Sequence, residues 1–119
     1  MTLPAEARDA ALLLDMLSWA AHAGDFVAGL DEAGFRASKL HQAAVVRCIE
    51  VVGEAAARIS PGFKAGHPDI PWPLLVGMRN RLIHDYGRIS LDIVWQVVRD
   101  DLPALAARLR PLVPPDTGP

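Results

Sequence analysis

Between Ser38 and the run Ser60-Pro61-Gly62, Leu40, Ala44, Cys48, Val51, Ala55 and Ile59 recur every three or four residues, and Val45, Ile49, Val52 and Ala56 widen the stripe. Only an α-helix gathers that spacing onto one face, since a strand would send successive residues to opposite sides. The spacing therefore predicts a central helix over Lys39–Ile59, capped by Ser38 and ended by Ser60-Pro61-Gly62. Its neighbours read as helices too. One is expected from Pro4 to Ala23, with Leu13, Met16, Leu17 and Ala20 at helical spacing and Gly24 as its stop. Gly24–Ala37 reads as a connector anchored by Phe26, Leu30 and Phe35, in which Asp31 can cap a short helical turn. Phe63–Ile70 reads as a loop, after which Asp69 is expected to cap a third helix. That helix should start near Pro71, carry Trp72, Leu75, Met78 and Leu82 inward, and fray near Tyr86 before Gly87. Ser90 should cap a fourth, with Trp95, Val98, Leu102, Leu105 and Leu109 as its stripe, and Pro103 must kink it or start a new segment after Asp100 and Asp101. No alternation of strand type, repeat or second domain interrupts this pattern. The expectation is an all-α bundle of four to five helices over residues 1–110, with 111–119 a disordered tail.

Composition limits what such a bundle does. Of 119 residues, 51% are hydrophobic and 22% charged, which argues against disorder and suggests a face shared with another subunit. The single cysteine excludes an internal disulfide and a Cys-rich zinc site, as expected of a cytoplasmic protein. No stretch reaches the roughly 20 apolar residues of a membrane helix, and residues 1–9 lack the basic-then-apolar pattern of a secretory signal. A net charge of −2 provides no basic coat, so contact with nucleic acid must come from a local cluster such as Arg79, Arg81 and Arg88.

That cluster coincides with the densest chemistry in the chain, Arg79-Asn80-Arg81-Leu82-Ile83-His84-Asp85-Tyr86. Taken singly, these residues have plain explanations: a solvated arginine, a histidine near helix-terminal carbonyls, and a tyrosine with a packed ring and a wet hydroxyl. Together they suit RNA cleavage without a metal, which needs a base for the 2′-hydroxyl, an acid for the leaving 5′-oxygen and a cation for the phosphorane. His84 and Arg79 fit those roles. One histidine cannot be both acid and base in a single turnover, so one copy looks incomplete, and a two-fold dimer would bring two of each around one phosphate. His22, His41 and His67 lie in separate segments without partners at metal-ligand spacing, and neither a metal nor another cofactor is assigned. Gly53-Glu54 reads either as a helix-crossing point beside an exposed acid or, for Glu54, as a group orienting Arg79.

The segment Arg79-x4-His84-x-Tyr86 resembles the ribonuclease motif of the HepT family of HEPN-domain proteins. The blocks Val51-Val52-Gly53-Glu54-Ala55, Ile70-Pro71-Trp72, Gly77-Met78-Arg79-Asn80, Ile93-Val94-Trp95 and Asp101-Leu102-Pro103 are similar to that family's blocks in the same order. The resemblance spans about Arg8 to Leu109, and Gly87 departs from the bulky residue usual at its position. It implies a HEPN-type helical homodimer acting as a metal-independent RNA endonuclease, with its cleft at the dimer interface. It also implies a partner, a minimal nucleotidyltransferase antitoxin similar to MntA, which attaches AMP to the motif tyrosine, here Tyr86. Two other functions stay open at this point. One is a non-catalytic HEPN subunit that binds nucleotide or regulates the transferase, and the other is a plain helical scaffold.

Overall fold

A computed structural model describes residues 4–83 and 88–114. The described residues form an all-α bundle whose first long helix, α1 (Ala5–Phe26), lies along the central helix α3 (Lys39–Arg58). Between them Gly29, at φ 81°, makes a turn that residues with a Cβ rarely adopt, and Asp31 then caps the short α2 (Glu32–Arg36) by accepting from Gly34 N at 2.7 Å. Ser38 caps α3 in the same way, accepting from His41 N. Both caps match the sequence. α1 runs on past Gly24 to Phe26, because nothing there obliges the chain to leave the helix, and no atom crowds the Gly24 position.

Ser60-Pro61 ends α3 and also opens a helix, which the sequence reading missed. Ser60 Oγ accepts from Phe63 N at 3.3 Å, Pro61 takes the first helical position, and the expected loop is instead α4 (Pro61–Gly66). Asp9 of α1, buried, holds this corner: its carboxylate accepts from Ser60 N at 2.9 Å and from Ser60 Oγ at 2.6 Å. Asp69 does not cap the following helix. Pro71 occupies that position without a side-chain bond, and the Asp69 carbonyl instead accepts from the Arg108 guanidinium.

The expected third helix is two, α5 (Trp72–Val76) and α6 (Met78–Leu82), broken at Gly77, where Asn80 N turns back to the Gly77 carbonyl at 3.0 Å. The pair crosses α3 at Gly53, whose hypothetical Cβ would stand 3.1 Å from the Leu75 carbonyl oxygen. This bears out the crossing-point reading of Gly53. The last helical stretch is continuous but changes winding: α7 (Leu91–Gln96), a π-helical turn (Val97–Asp101), α8 (Leu102–Leu109) and a 3₁₀ turn (Arg110–Leu112). Pro103 has no N–H to give to the Arg99 carbonyl one turn back, and the wide turn just before it absorbs the mismatch. Thus a new segment starts at Leu102, as Pro103 predicted.

The core is one cluster drawn from every element except α4 and the 3₁₀ turn, with Met16, Phe35, Val45, Ile49, Val52, Met78, Val94 and Leu109 at its centre. Cys48 is sealed inside it, and burial pushes its thiol up from the usual thiol range. No described helix is long and apolar enough to cross a membrane. The expected tail falls partly on the 3₁₀ turn, while residues 115–119 lie outside the described part.

Candidate ribonuclease site

α6 is short, and its two faces are sharply divided. Met78 and Leu82, four apart, are buried against α3 and α7, so Arg79 and Asn80 stand exposed on the opposite side. Arg81 takes the intermediate position. It is half-buried, and its Nη1 is sealed from solvent without a hydrogen-bond partner among the described residues. Arg79 is therefore the exposed guanidinium of α6, and Arg81 is the one that the fold partly withdraws.

The helix does not reach Tyr86 as the sequence suggested. Ile83 leaves it with φ −86° and ψ 125°, and forms an isolated antiparallel bridge with Ile89. Ser90 N donates to the Leu82 carbonyl at 2.7 Å, closing the bridge from the other side. β-branched Ile83 and Ile89 suit extended backbone better than a fraying helix end, which explains the early stop. His84, Asp85, Tyr86 and Gly87 lie between the two bridged residues and outside the described part. This bridge and hydrogen bond together form a clasp that draws the two flanks of that segment together: one flank continues from Arg79 through α6, the other leads from Arg88, which is exposed, into α7.

Ile83 and Ile89 themselves are 44% and 40% exposed, an apolar pair beside the motif. This is the end of the bundle where α1 finishes and α3 begins, because Arg36 of α2 pairs with Asp92 at the start of α7 and Phe35 packs on Trp95 with ring centres 5.2 Å apart. Phe26 and Leu40, 42% and 77% exposed, add to the apolar surface of that end. Arg36 is engaged by Asp92 and, at 3.7 Å, by Glu32, so it is not a free cation of the site.

The other expected participants are placed as follows. Glu54 is exposed on α3, and no hydrogen bond or ion pair among the described residues joins it to Arg79. The three described histidines each have a local structural partner. His22 sits between Trp19 and Phe26 on α1, and His41 Nδ1 meets Ser38 Oγ at 2.6 Å. His67 stacks on Phe63 at 4.1 Å, and its Nδ1 donates to the Phe63 carbonyl. No group of three or more metal-ligating side chains occurs among the described residues. Sequence reasoning missed the clasp, although two β-branched residues flanking a glycine-containing segment were a usable signal. It also missed Asp9 and the Arg36–Asp92 pair, which join residues too far apart in the chain for spacing to reveal.

Comparison with known proteins places the sequence in a family. The family model described as "Ribonuclease HepT-like" matches residues 16–112. Two Methanocaldococcus jannaschii proteins named as candidate RNases are similar: one is 36% identical over 95 residues, covering 80% of this chain and 87% of the relative. The second is 32% identical over 103 residues, covering 87% and 89%. A Thermococcus cleftensis protein named "Probable ribonuclease HepT" is 38% identical over 78 residues, covering 66% of this chain and 71% of its own length. No solved structure matches the chain. The helical bundle, the exposed Arg79 on α6 and a match across most of the chain lead to one conclusion: this protein belongs to the HepT-like ribonuclease family.

Proposed function

We propose that this chain is the toxin of a toxin–antitoxin pair, a metal-independent RNA endonuclease that works as a homodimer with Arg79 and His84 of both copies around one phosphate. The observation that supports the reading is Arg79, exposed on the short helix α6, whose end at Leu82 is joined by Ser90 N across the interval in which the sequence places His84. Support for the dimer comes from the apolar residues exposed at that same end, Ile83, Ile89, Phe26 and Leu40, which a second copy would cover.

In this mechanism His84 of one copy takes the proton of the 2′-hydroxyl as its oxygen attacks the adjacent phosphorus. The bond to the 5′-oxygen breaks, and His84 of the other copy gives that oxygen a proton. Arg79 offsets the charge that gathers on the phosphorane oxygens. The products are a 2′,3′-cyclic phosphate and a 5′-hydroxyl end. Asn80 adds a donor beside Arg79, while Arg81 and Arg88 are the further RNA contacts of the site, and Glu54 a group that orients Arg79 once substrate is present. A partner nucleotidyltransferase similar to MntA silences the enzyme by attaching AMP to the Tyr86 hydroxyl. The added phosphodiester charge and adenosine then obstruct a cleft that must admit an anionic strand.

The test is incubation of the purified protein with RNA in chelator, together with light scattering. A dimer that leaves 2′,3′-cyclic phosphate ends is expected. A monomer that cuts RNA would overturn the composite site, and a protein that binds nucleotide but leaves RNA intact would favour the regulatory subunit instead.

A further inference from the structure

The three surface cations Arg8, Arg58 and Lys64 come together far from the motif. They line a groove of about 570 Å³ between the start of α1, the end of α3 and α4, together with the buried Leu12 and Ile59 and the carboxylates Asp9 and Asp15. Elsewhere on the surface Arg36 and Arg47 are held by carboxylates. Around the groove the balance differs. Both oxygens of Asp9 are taken by Ser60, and no ion pair among the described residues engages Arg8, Arg58 or Lys64. Lys64 reaches back to the Ala57 carbonyl at 3.5 Å, which keeps its ammonium over the groove. Asp15 is the one carboxylate there that no hydrogen bond among the described residues occupies.

We propose that this groove is a second RNA-binding site, which holds phosphates of a single strand away from the point of cleavage. The inference rests on the ribonuclease reading. In a chain of net charge −2, one open depression sets three cations, outside any ion pair among the described residues, against the two carboxylates Asp9 and Asp15, a local surplus of one positive charge, and a polyanion that displaces the counterions of those cations is the ligand such a depression fits. Its place in the fold sets its reach. The groove is at the C-terminal end of α3 and the clasp is at the end where α3 begins. A helix of that length spans about 30 Å, or on the order of nine nucleotides of a stacked strand. Long substrates can therefore engage both sites of one copy at once, whereas short ones engage one site at a time, so the groove favours long RNA without touching the reacting phosphate.

The experiment compares the wild-type protein with Arg8→Gln/Arg58→Gln/Lys64→Gln and with a control of equal charge change, Arg47→Gln/Arg99→Gln/Arg110→Gln. Binding is read by fluorescence anisotropy with 2′-O-methyl RNA, which has no free 2′-hydroxyl and cannot be cut, so the result does not depend on catalysis. For an oligonucleotide of about 30 residues, removing three phosphate contacts should weaken the salt dependence. Between 50 and 200 mM salt the wild type should lose about 20-fold more affinity than the groove variant. An oligonucleotide of about six residues, too short to span the two sites, should lose less affinity in the groove variant than the long RNA does. Asp15→Asn should tighten binding of the long RNA, a gain that a folding defect cannot imitate. Equal salt dependence of wild type and groove variant, the same loss in the control, or an equal effect on the short oligonucleotide would each overturn the proposal. Failure of the protein to cut unmodified RNA, with groove binding intact, would count against the ribonuclease reading alone.

Discussion

Ser90→Pro isolates the clasp. Ser90 occupies the N-cap of α7 at φ −82°, close to the angle a proline ring imposes, and its N–H is not needed by the helix that follows. Its one backbone donor bond goes to the Leu82 carbonyl at 2.7 Å, and proline removes it. Losing that bond and leaving the carbonyl short of a donor costs about 1–3 kcal/mol. Stiffening the unfolded chain returns about 0.4–1 kcal/mol, so a net loss of about 1–2 kcal/mol is expected. For a chain of this size that lowers Tm by roughly 4–8 °C, which leaves the protein folded at 25 °C. Activity should fall much further. On the proposed mechanism, releasing one entrance to the His84 segment frees the histidine to shift relative to Arg79, and misplacement by about 1 Å can cost on the order of 10²-fold. The assay is single-turnover cleavage of a labelled RNA at saturating enzyme beside a thermal melt. Ser90→Ala, which keeps the N–H and removes no capping bond, should match wild type in cleavage. If Ser90→Pro shows the lowered Tm but cuts at the wild-type rate, the clasp does not position the site.

Three further outcomes are expected. Arg79→Ala and His84→Ala should each slow cleavage by on the order of 10²-fold or more, measured under single turnover, and the exposed Arg79 should be replaced without a change in Tm. Tyr86→Phe should cut RNA yet escape inhibition, so that mass spectrometry after incubation with the transferase and ATP finds added AMP on the wild type alone; equal addition to both would refute the assignment. Asp9→Ala removes two charge-assisted bonds to Ser60 and should cost about 3 kcal/mol, or roughly 12 °C in Tm, whereas Asp15→Ala, on the exposed side of the same helix, should shift Tm by no more than about 2 °C.

What could be read from the chain alone followed the range of the interactions involved. The stripe of α3, the Asp31 and Ser38 caps and the break at Pro103 depend on residues a few positions apart, and each was legible. Ser60-Pro61 was read as a stop and proved also to be a start, because the same two residues serve both ends of a tight corner. The third helix was drawn too long, since the apolar spacing of Met78 and Leu82 continues into Ile83 while the backbone turns extended to meet Ile89. That partnership is a pairing across a loop, which helical periodicity cannot register. Of the site, the exposed Arg79 follows from the inward faces of its neighbours, and the motif pointed to the correct family. Asp9 could not be found this way, because its partner lies on the far side of two helices and nothing local distinguishes it from the exposed Asp15.

The sealed Cys48 gives the protein an experimental convenience. With its thiol buried and its ionisation held back, the chain should react only slowly with thiol reagents under native conditions. A cysteine introduced at exposed Arg88 would then be the sole reactive handle beside the clasp, and a dye placed there would report on that corner of the molecule without background from the core. Labelling of Cys48 itself would conversely mark opening of the whole bundle, so one residue separates local motion from global unfolding in the same sample.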